Sequence, residues 1–494
     1  MTAAMYATAD QPPPNIVVFL VDDMGWQDTS VPFWTKTTPF NQCYRTPNME
    51  RLAREGVKFT QAYASAVCSP SRVSLMTGLN AARHRVTTWT MYKDTPQDAP
   101  SEKLAFPDWN MNGICPEPGV ERTVQARCLP DYLKEAGYRT IHVGKAHFGA
   151  SGTPGADPLN LGFEVNVGGH AAGGPGSYLG EQGFSAAWRS GKDYWDVPGL
   201  DAYKGKTVFL TEALTREALK SVSQAVSDQK PFYLYMSHYA VHVPYAEDPR
   251  FMGHYKGLPP KEAMYAALIE GMDKSLGDIL DYLDEHHLSD NTIILFMSDN
   301  GGLSAHGRDG EPHTHNKPLS SGKGSAHEGG IREPMIVKWP GVTRPGSVCD
   351  DYVIIEDFFP TILEMAGVRK PEQVGGIVDG RSFVPLLKGE TGLSRGRALV
   401  WHFPNSWSKD TGPGLGSYSA IRKDDWKLIY YYNRAGAEQC ELFNLADDIG
   451  ETENLATAQP EIATALRAEL RAFLAGAQAQ FPTYKATGKP VETP

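Results

Sequence analysis

The chain has 494 residues, a formal charge of −11 and 41% hydrophobic residues, so it is long enough for a large core and is not a disordered polyanion. The acidic balance excludes a general nucleic-acid binder, whose affinity comes from Lys and Arg neutralising phosphates, so any anion site must be local. Six cysteines with no CxxC pair make neither a disulfide framework nor a zinc motif.

The N-terminal stretch "MTAAMYATADQPPPNIVVFL" has no basic region followed by a long apolar one. No apolar run approaches the ~20 residues that cross a bilayer, so neither a visible signal peptide nor a membrane segment is expected. The first predicted element is "NIVVFLVDD", a β-branched run that reads as a buried parallel strand ending in Asp22 and Asp23. "TPNMERLAREG" follows as a helix, with Thr46 as N-cap, Pro47 in the first turn and Gly56 as its stop. "CSPSRVSLMTG" looks like another helix start, and "LPDYLKEAGYRTIHVGKAHFG" is a helix, a Gly137 stop and a strand running into Lys145 and His147.

The segment from residue 152 to 206 is rich in Gly and Pro and lacks periodicity, which marks a long functional loop. Next come the helix "LTEALTREALKSVSQAV", the strand "PFYLYMSHY", the long helix "AMYAALIEGMDKSLGDILDYLDEHH" and the strand "NTIILFMSDNGG", ending in Asp299 and Asn300. "EPMIVKWPG" and "DFFPTILEMAG" add a strand and a helix. This alternation predicts an α/β fold, a large mostly parallel sheet sandwiched by helices over residues 1–385, with ligands beyond the carboxyl ends of the strands. Residues 386–494 change texture: "ALVWHFP", "YSAIRKDDWKLIYYY" and "CELFNLADDIGETENL" read as antiparallel strands, closed by the helix "PEIATALRAELRAFLAGAQAQ". They predict a smaller C-terminal α+β subdomain.

Two pairs of oxygen ligands at strand ends, Asp22-Asp23 and Asp299-Asn300, suit a hard cation such as Ca²⁺ or Mg²⁺ better than zinc. Either pair alone could equally be a turn or a helix cap. Arg72, Lys145, His147, His242 and Lys323 all fall in Gly/Pro-punctuated loops. Singly such residues are usually solvated; grouped at strand ends they suggest a pocket for a multiply charged oxyanion. Cys68 fits poorly beside a hard cation, because a thiolate is a soft ligand. The alternative is a buried, inert cysteine with Pro70 starting a helix and Arg72 on the surface.

"CSPSRVSLMTG" resembles the Cys-x-Pro-x-Arg signature of the type I sulfatases, in the alkaline-phosphatase superfamily, whose cysteine is oxidised to formylglycine. "VVFLVDDMGW", "GKAHFG", "HVP", "MSDNGG" and "GKGSAHEGGIREP" resemble five further family segments in family order. One departure is Leu79 after "MTG", where an arginine is frequent in the family.

The resemblance implies one Ca²⁺ held by Asp22, Asp23, Asp299, Asn300 and the modified Cys68. A hydroxyl of the hydrated aldehyde attacks sulfur, and the other then expels sulfate. Arg72 orients the diol and the metal ligands, and Lys145 and His147 contact the diol and the sulfate. His242 is the general acid, helped by Lys323, and Asp299 doubles as the base; His238 is either a supporting or a core residue.

The loops resemble those of bacterial carbohydrate sulfatases of the N-acetylgalactosamine and galactose group. That implies a saccharide sulfated at O4 or O6, with His170, Asp379, Arg381 and His402 as candidates for sugar binding. It also implies a formylglycine-generating maturation enzyme as a partner and a periplasmic or secreted location. The rival readings are a phosphate or phosphonate ester hydrolase of the same superfamily, and a catalytically silent receptor for sulfated glycans.

Overall fold

The computed structural model describes residues 12–188, 193–305, 307–368, 376–409 and 411–494. The leader reading falls partly on residues 1–11, outside these. The strands, in chain order, are β1 (Asn15–Val21), β2 (Val57–Tyr63), β3 (Leu104–Ala105), β4 (Arg139–Gly144), β5 (Val165–Val167), β6 (Phe232–Ser237), β7 (Thr292–Ser298), β8 (Arg332–Lys338), β9 (Ser347–Cys349) and β10 (Val353–Ile354). Then come β11 (Ala398–Phe403), β12 (Tyr418–Lys423), β13 (Trp426–Tyr431), β14 (Cys440–Asn444) and β15 (Thr483–Tyr484). Nine form one sheet in the order β10-β2-β8-β7-β1-β6-β4-β5, with β9 also paired to β2. Every pairing is parallel except the two that β8 makes with β2 and β7.

β1 shows why the apolar runs are continuous rather than alternating: it is buried along its whole length. Ile16, Val18 and Leu20 pack with side chains of the helices Cys68–Thr77, Leu129–Glu135 and Phe358–Met365. Val17, Phe19 and Val21 pack on the other face with those of Pro47–Glu55, Leu210–Ser227 and Pro260–Glu285. The period of two in a strand thus feeds two cores.

The helix Pro47–Glu55 has its expected bounds, but the Thr46 side chain does not cap it. That hydroxyl lies 2.7 Å from Thr29 Oγ1 and accepts from the Ser30 amide at 2.8 Å. Asp273, from the long helix, takes the first-turn amides of Asn48 and Met49 instead, at 3.0 and 2.8 Å. A tertiary carboxylate has replaced the local cap.

β11 to β14 form the antiparallel sheet. Leu399, Trp401 and Phe403 on one face join the first core. Val400, Ile421 and Leu428 on the other pack against Leu466, Leu470 and Leu474 of the helix Pro460–Gly476. The boundary expected at 385/386 falls inside the helical turn Val384–Leu387, whose Val384 and Leu386 belong to the first core. No helix among the described residues is long and apolar enough to cross a membrane.

A buried ion network ties the small sheet to the segment entering β8. Lys427 Nζ on β13 donates to Glu328 Oε1 at 2.9 Å and lies 2.6 Å from Glu451 Oε1, with all three side chains fully buried. Tyr63 donates to Glu328 Oε2 at 2.7 Å, and Arg332 lies 3.2 Å from the same oxygen. Removing the shared cation leaves two buried carboxylates facing each other. Lys427→Met is therefore expected to cost roughly 3–5 kcal/mol of folding stability, read from urea unfolding. A loss within experimental error would mean that the two carboxylates are protonated or hydrated in the folded protein.

Candidate active site

The carboxyl edge of the large sheet gathers the candidate residues. Asp22 and Asp23 follow β1, Asp299 and Asn300 follow β7, Lys145 and His147 follow β4, His242 lies beyond β6, and Cys68 lies five residues beyond β2. Lys323 precedes its strand, and reaches the same edge because β8 runs against its neighbours. In-register pairing of Val21 with Ser298 puts the two acidic pairs side by side. Asp23 and His147 hold left-handed backbone, with φ of 61° and 56°, which is uncommon outside glycine and concentrates at functional sites.

Ligand atoms of Asp22, Asp23, Asp299 and Cys68 all lie within 4.8 Å of one another, and every one of these residues is buried. Asn300 adds an amide oxygen that is buried with no hydrogen-bond donor, while its Nδ2 donates to Asp23 Oδ1 at 2.8 Å. Burial, with Asp299 and Asp23 adding to it, pushes the Asp22 carboxyl up to about 8 even though Lys145 and Arg72 oppose the shift. Three crowded carboxylates and an orphaned amide oxygen fit a hard divalent cation.

Cations surround the cluster. Arg72 is fully buried: its Nε donates to Asp299 Oδ2 at 2.8 Å, and its Nη1 to the Lys145 carbonyl at 2.9 Å and to Ser237 Oγ at 2.6 Å. Lys145 Nζ donates to Asp22 Oδ2 at 2.7 Å, and Lys323 Nζ to Asp23 Oδ2 at 2.9 Å. Burial works against ionisation of Asp23, yet the Lys323 ammonium holds it well below the usual carboxylate range.

Cys68 opens the helix Cys68–Thr77, all ten residues of which are buried, and no side chain caps that end. It therefore stands where the helix dipole favours negative charge. Its Sγ lies 3.6 Å from Asp22 Oδ1. Burial pushes its thiol up to about 12 despite Lys145 and Lys323, so burial disfavours the nucleophilic thiolate.

Two imidazoles complete the site. His147 Nε2 donates to the Thr90 carbonyl at 2.8 Å, which leaves a buried Nδ1 with no partner as an acceptor. His242 Nδ1 donates to the Val243 carbonyl at 2.7 Å, and its Nε2 lies 3.8 Å from Asp23 Oδ2. Burial and then Lys323 push His242 down to about 3, so its ring is neutral among these side chains. The long loop passes flat against both rings. A Cβ on Gly173 would lie 2.5 Å from His147 Cε1, and one on Gly174 would lie 2.8 Å from His242 Nδ1.

A cavity of about 290 Å³ has Asp23, Cys68, His147, His242 and Lys323 on its polar side. Its remaining walls are Val67, Trp89, Gly173, Trp195, Val243, Leu303, Trp407 and Ser408. The three tryptophans come from segments without periodicity, and sequence reasoning missed them. Aromatic residues in turn-rich stretches such as "KDYWDVPG" and "FPNSWSK" were the available signal.

Four candidates for sugar binding are not brought to this cavity. Asp379 accepts from Arg83 Nε and Nη2, both at 2.9 Å, and from the Asn80 amide at 2.9 Å. Arg381 is exposed and contributes its backbone amide to Asp357 Oδ1 at 2.7 Å. His402 is spent on Ser419 Oγ at 2.7 Å and the Gln480 carbonyl at 2.8 Å. His170 acts through its carbonyl, which accepts the His147 amide at 3.2 Å. His238 is a core residue, hydrogen-bonded to Ser275 of the long helix at 2.8 Å and set against Phe19. Leu79, at the position of the sequence departure, packs on the first core.

A large parallel sheet with clustered carboxylates and cations at its carboxyl edge, and a small antiparallel sheet beside it, is the architecture of the alkaline-phosphatase superfamily. Within that class the chain belongs to the sulfatase family: residues 14–368 match the Sulfatase family model. Residues 322–480 match the family model described as N-sulphoglucosamine sulphohydrolase, C-terminal. It is a sulfuric ester hydrolase.

The chain is 32% identical over 475 residues to N-acetylgalactosamine-6-sulfatase of Mus musculus, covering 88% of this chain and 83% of that one. It is 28% identical over 510 residues to a sulfatase of Formosa agariphila, covering 93% and 88%. The crystal structure of Ps i-CgsB in complex with k-i-k-neocarrahexaose superposes with a TM-score of 0.73 at 25% identity, over 94% of this chain and 93% of that one.

The raised Asp22 carboxyl gives the cluster a signature of its own. Burial and the neighbouring carboxylates favour its neutral form in metal-free protein and a bound cation favours the ionised form, so cation binding is expected to release protons. Titrating Ca²⁺ into chelator-treated protein in two buffers of different ionisation heat is expected to show about one proton released. Buffer-independent heats would mean that Asp22 is already ionised.

Proposed function

We propose that the protein hydrolyses a sulfate ester on a sulfated carbohydrate, with Cys68 as the precursor of a formylglycine nucleophile and one Ca²⁺ held by Asp22, Asp23, Asp299 and Asn300. The observation that carries this reading is the position of Cys68. It is an unreactive thiol, at the positive end of a buried helix, 3.6 Å from a carboxylate of a hard-cation cluster. A thiol there has no chemistry to perform, whereas a hydrated aldehyde presents hard oxygens and a nucleophilic hydroxyl.

The cation, when bound, supplies Lewis-acid polarisation of the sulfate oxygens and of the diol. The side chains account for the rest. One hydroxyl of the diol would give its proton to Asp299 and attack sulfur, the bond from sulfur to the substrate oxygen would break, and the departing oxygen would take a proton from His242. The second hydroxyl would then give its proton to His242, form the carbonyl and expel sulfate, and water would restore the diol, so that two easier steps replace one hard one.

Lys145 and Lys323 neutralise the sulfate oxygens, and the unpartnered Nδ1 of His147 accepts from a hydroxyl of the diol. Arg72 keeps Asp299 aligned. A general acid must be protonated. Burial and Lys323 oppose that at His242, but the negative charge of a bound sulfate ester next to it acts in the opposite sense.

Support for a carbohydrate comes from the relatives' own names, an N-acetylgalactosamine-6-sulfatase at 32% identity and a complex with k-i-k-neocarrahexaose at 25%. The narrower substrate is galactose or N-acetylgalactosamine sulfated at O4 or O6.

Peptide mass spectrometry across Ala62 to Leu79 on protein from its native host is expected to find an aldehyde at Cys68. Cys68→Ala is expected to abolish sulfate release while leaving the melting temperature within a few degrees, since a small side chain is lost from a buried helix start. An unmodified thiol in fully active protein would overturn the nucleophile. Faster turnover of a phosphate ester than of its sulfate counterpart would favour the phosphatase rival, and tight glycan binding with no turnover would favour the silent receptor.

A further inference from the structure

The catalytic groups occupy one side of the cavity, and nothing in the reaction itself uses the other. That other side is aromatic. Trp89 follows the short helix Ala81–His84, Trp195 comes from the long Gly-rich loop, and Trp407 comes from the loop after β11 of the small sheet. Segments more than a hundred residues apart in the chain have each brought a half-buried indole to the same cavity. Trp407 is set by close approach to the backbone beside a catalytic residue. A Cβ on Gly324, next to Lys323, would lie 2.3 Å from the indole Cε3. The volume of about 290 Å³ is at the small end for ligand pockets, which run roughly 300–1,000 Å³.

Resting on the sulfated-carbohydrate reading above, we propose that Trp89, Trp195 and Trp407 form a subsite for a single sugar ring. They grip the apolar C–H faces of the pyranose that carries the sulfate, so the enzyme acts on a sulfated residue at a chain end.

The physical case is a division of labour within one pocket. The sulfate is recognised by charge, at Lys323 and at the cation that the carboxylate cluster would hold. The leaving group must be recognised by something else, because the described walls around it offer one hydroxyl, Ser408, against three indoles and the side chains of Val67, Val243 and Leu303. Indoles bring large apolar area at little conformational cost, which suits the flat C–H face of a pyranose. A cavity of this volume has room for one such ring and its sulfate. A sulfate in the middle of a polymer would need the flanking residues to enter as well.

The test compares wild type with Trp89→Ala, Trp195→Ala, Trp407→Ala and Trp407→Phe, using N-acetylgalactosamine 6-sulfate as substrate and inorganic sulfate as product inhibitor. Each alanine variant is expected to raise KM about tenfold, in line with the loss of one aromatic contact. The inhibition constant of inorganic sulfate should stay unchanged, and Trp407→Phe should recover most of the loss. Unchanged KM in all three alanine variants overturns the subsite, and so does a sulfate inhibition constant that weakens in parallel, since that reports collapse of the catalytic side. If one variant does not fold, the other two carry the test, because they lie on separate segments.

An oligosaccharide sulfated both at its non-reducing end and internally separates chain-end from internal action. Sulfate should leave from the end first, and release at equal rates overturns the one-ring assignment. Failure of the underlying reading looks different. Wild type would then release sulfate from no saccharide while hydrolysing a non-carbohydrate ester, before any tryptophan is changed.

Discussion

Three carboxylates, Asp22, Asp23 and Asp299, are packed together where water does not reach, and the surrounding chain is arranged to make that tolerable. Left alone they would repel and take up protons. Each is instead given its own buried cation: Lys145 for Asp22, Lys323 for Asp23, Arg72 for Asp299. These partners come from one helix and two loops, so the electrostatic balance of the site doubles as a long-range constraint on the fold. The three cations balance the three carboxylates, so a divalent cation held among them would leave the site net positive, which suits an anionic sulfate ester. A site balanced in this way is preorganised: charge that develops on a reacting sulfate meets groups already fixed in place.

Much of this was readable in the chain because it sits at strand ends. A run such as "NIVVFLVDD" states both that it is buried and that it ends in ligands, and "MSDNGG" does the same. Cys68 was legible for another reason, a soft side chain in a hard setting. What escaped was whatever depends on a partner far away in sequence. Thr46 has the local credentials of a cap, but Asp273, over 200 residues on, takes the amides. Asp379 and His402 are polar residues in a plausible place, yet Arg83 and Ser419 claim them. The tryptophans of the cavity belong to no periodic element, and only the folded chain brings them together.

The reversed strand β8 is the element on which the geometry turns. Had it run parallel to its neighbours, Lys323 and the loop before it would lie at the opposite edge of the sheet, away from Asp23. Its direction also brings Glu328 and Arg332 close to β13, where Lys427 neutralises Glu328 and Glu451 together. The small sheet is therefore more than an appendage. It packs one face on the main core and supplies the buried countercharge under the segment that delivers Lys323.

That anchoring has a consequence for how the molecule comes into being. The loop that carries Lys323 gains its buried support only when Lys427 and Glu451 exist, and both are made long after Cys68. At about 5–20 residues per second, roughly 20–80 s of synthesis separate them. During that interval the helix that begins at Cys68 lacks the later segments, residues 353 to 445, that share its core. Once the chain is complete, the same side chain is 2% exposed and faces the world only across the cavity that it lines. The chain segment around Cys68 is thus extended and accessible, if at all, before those later segments pack on its helix.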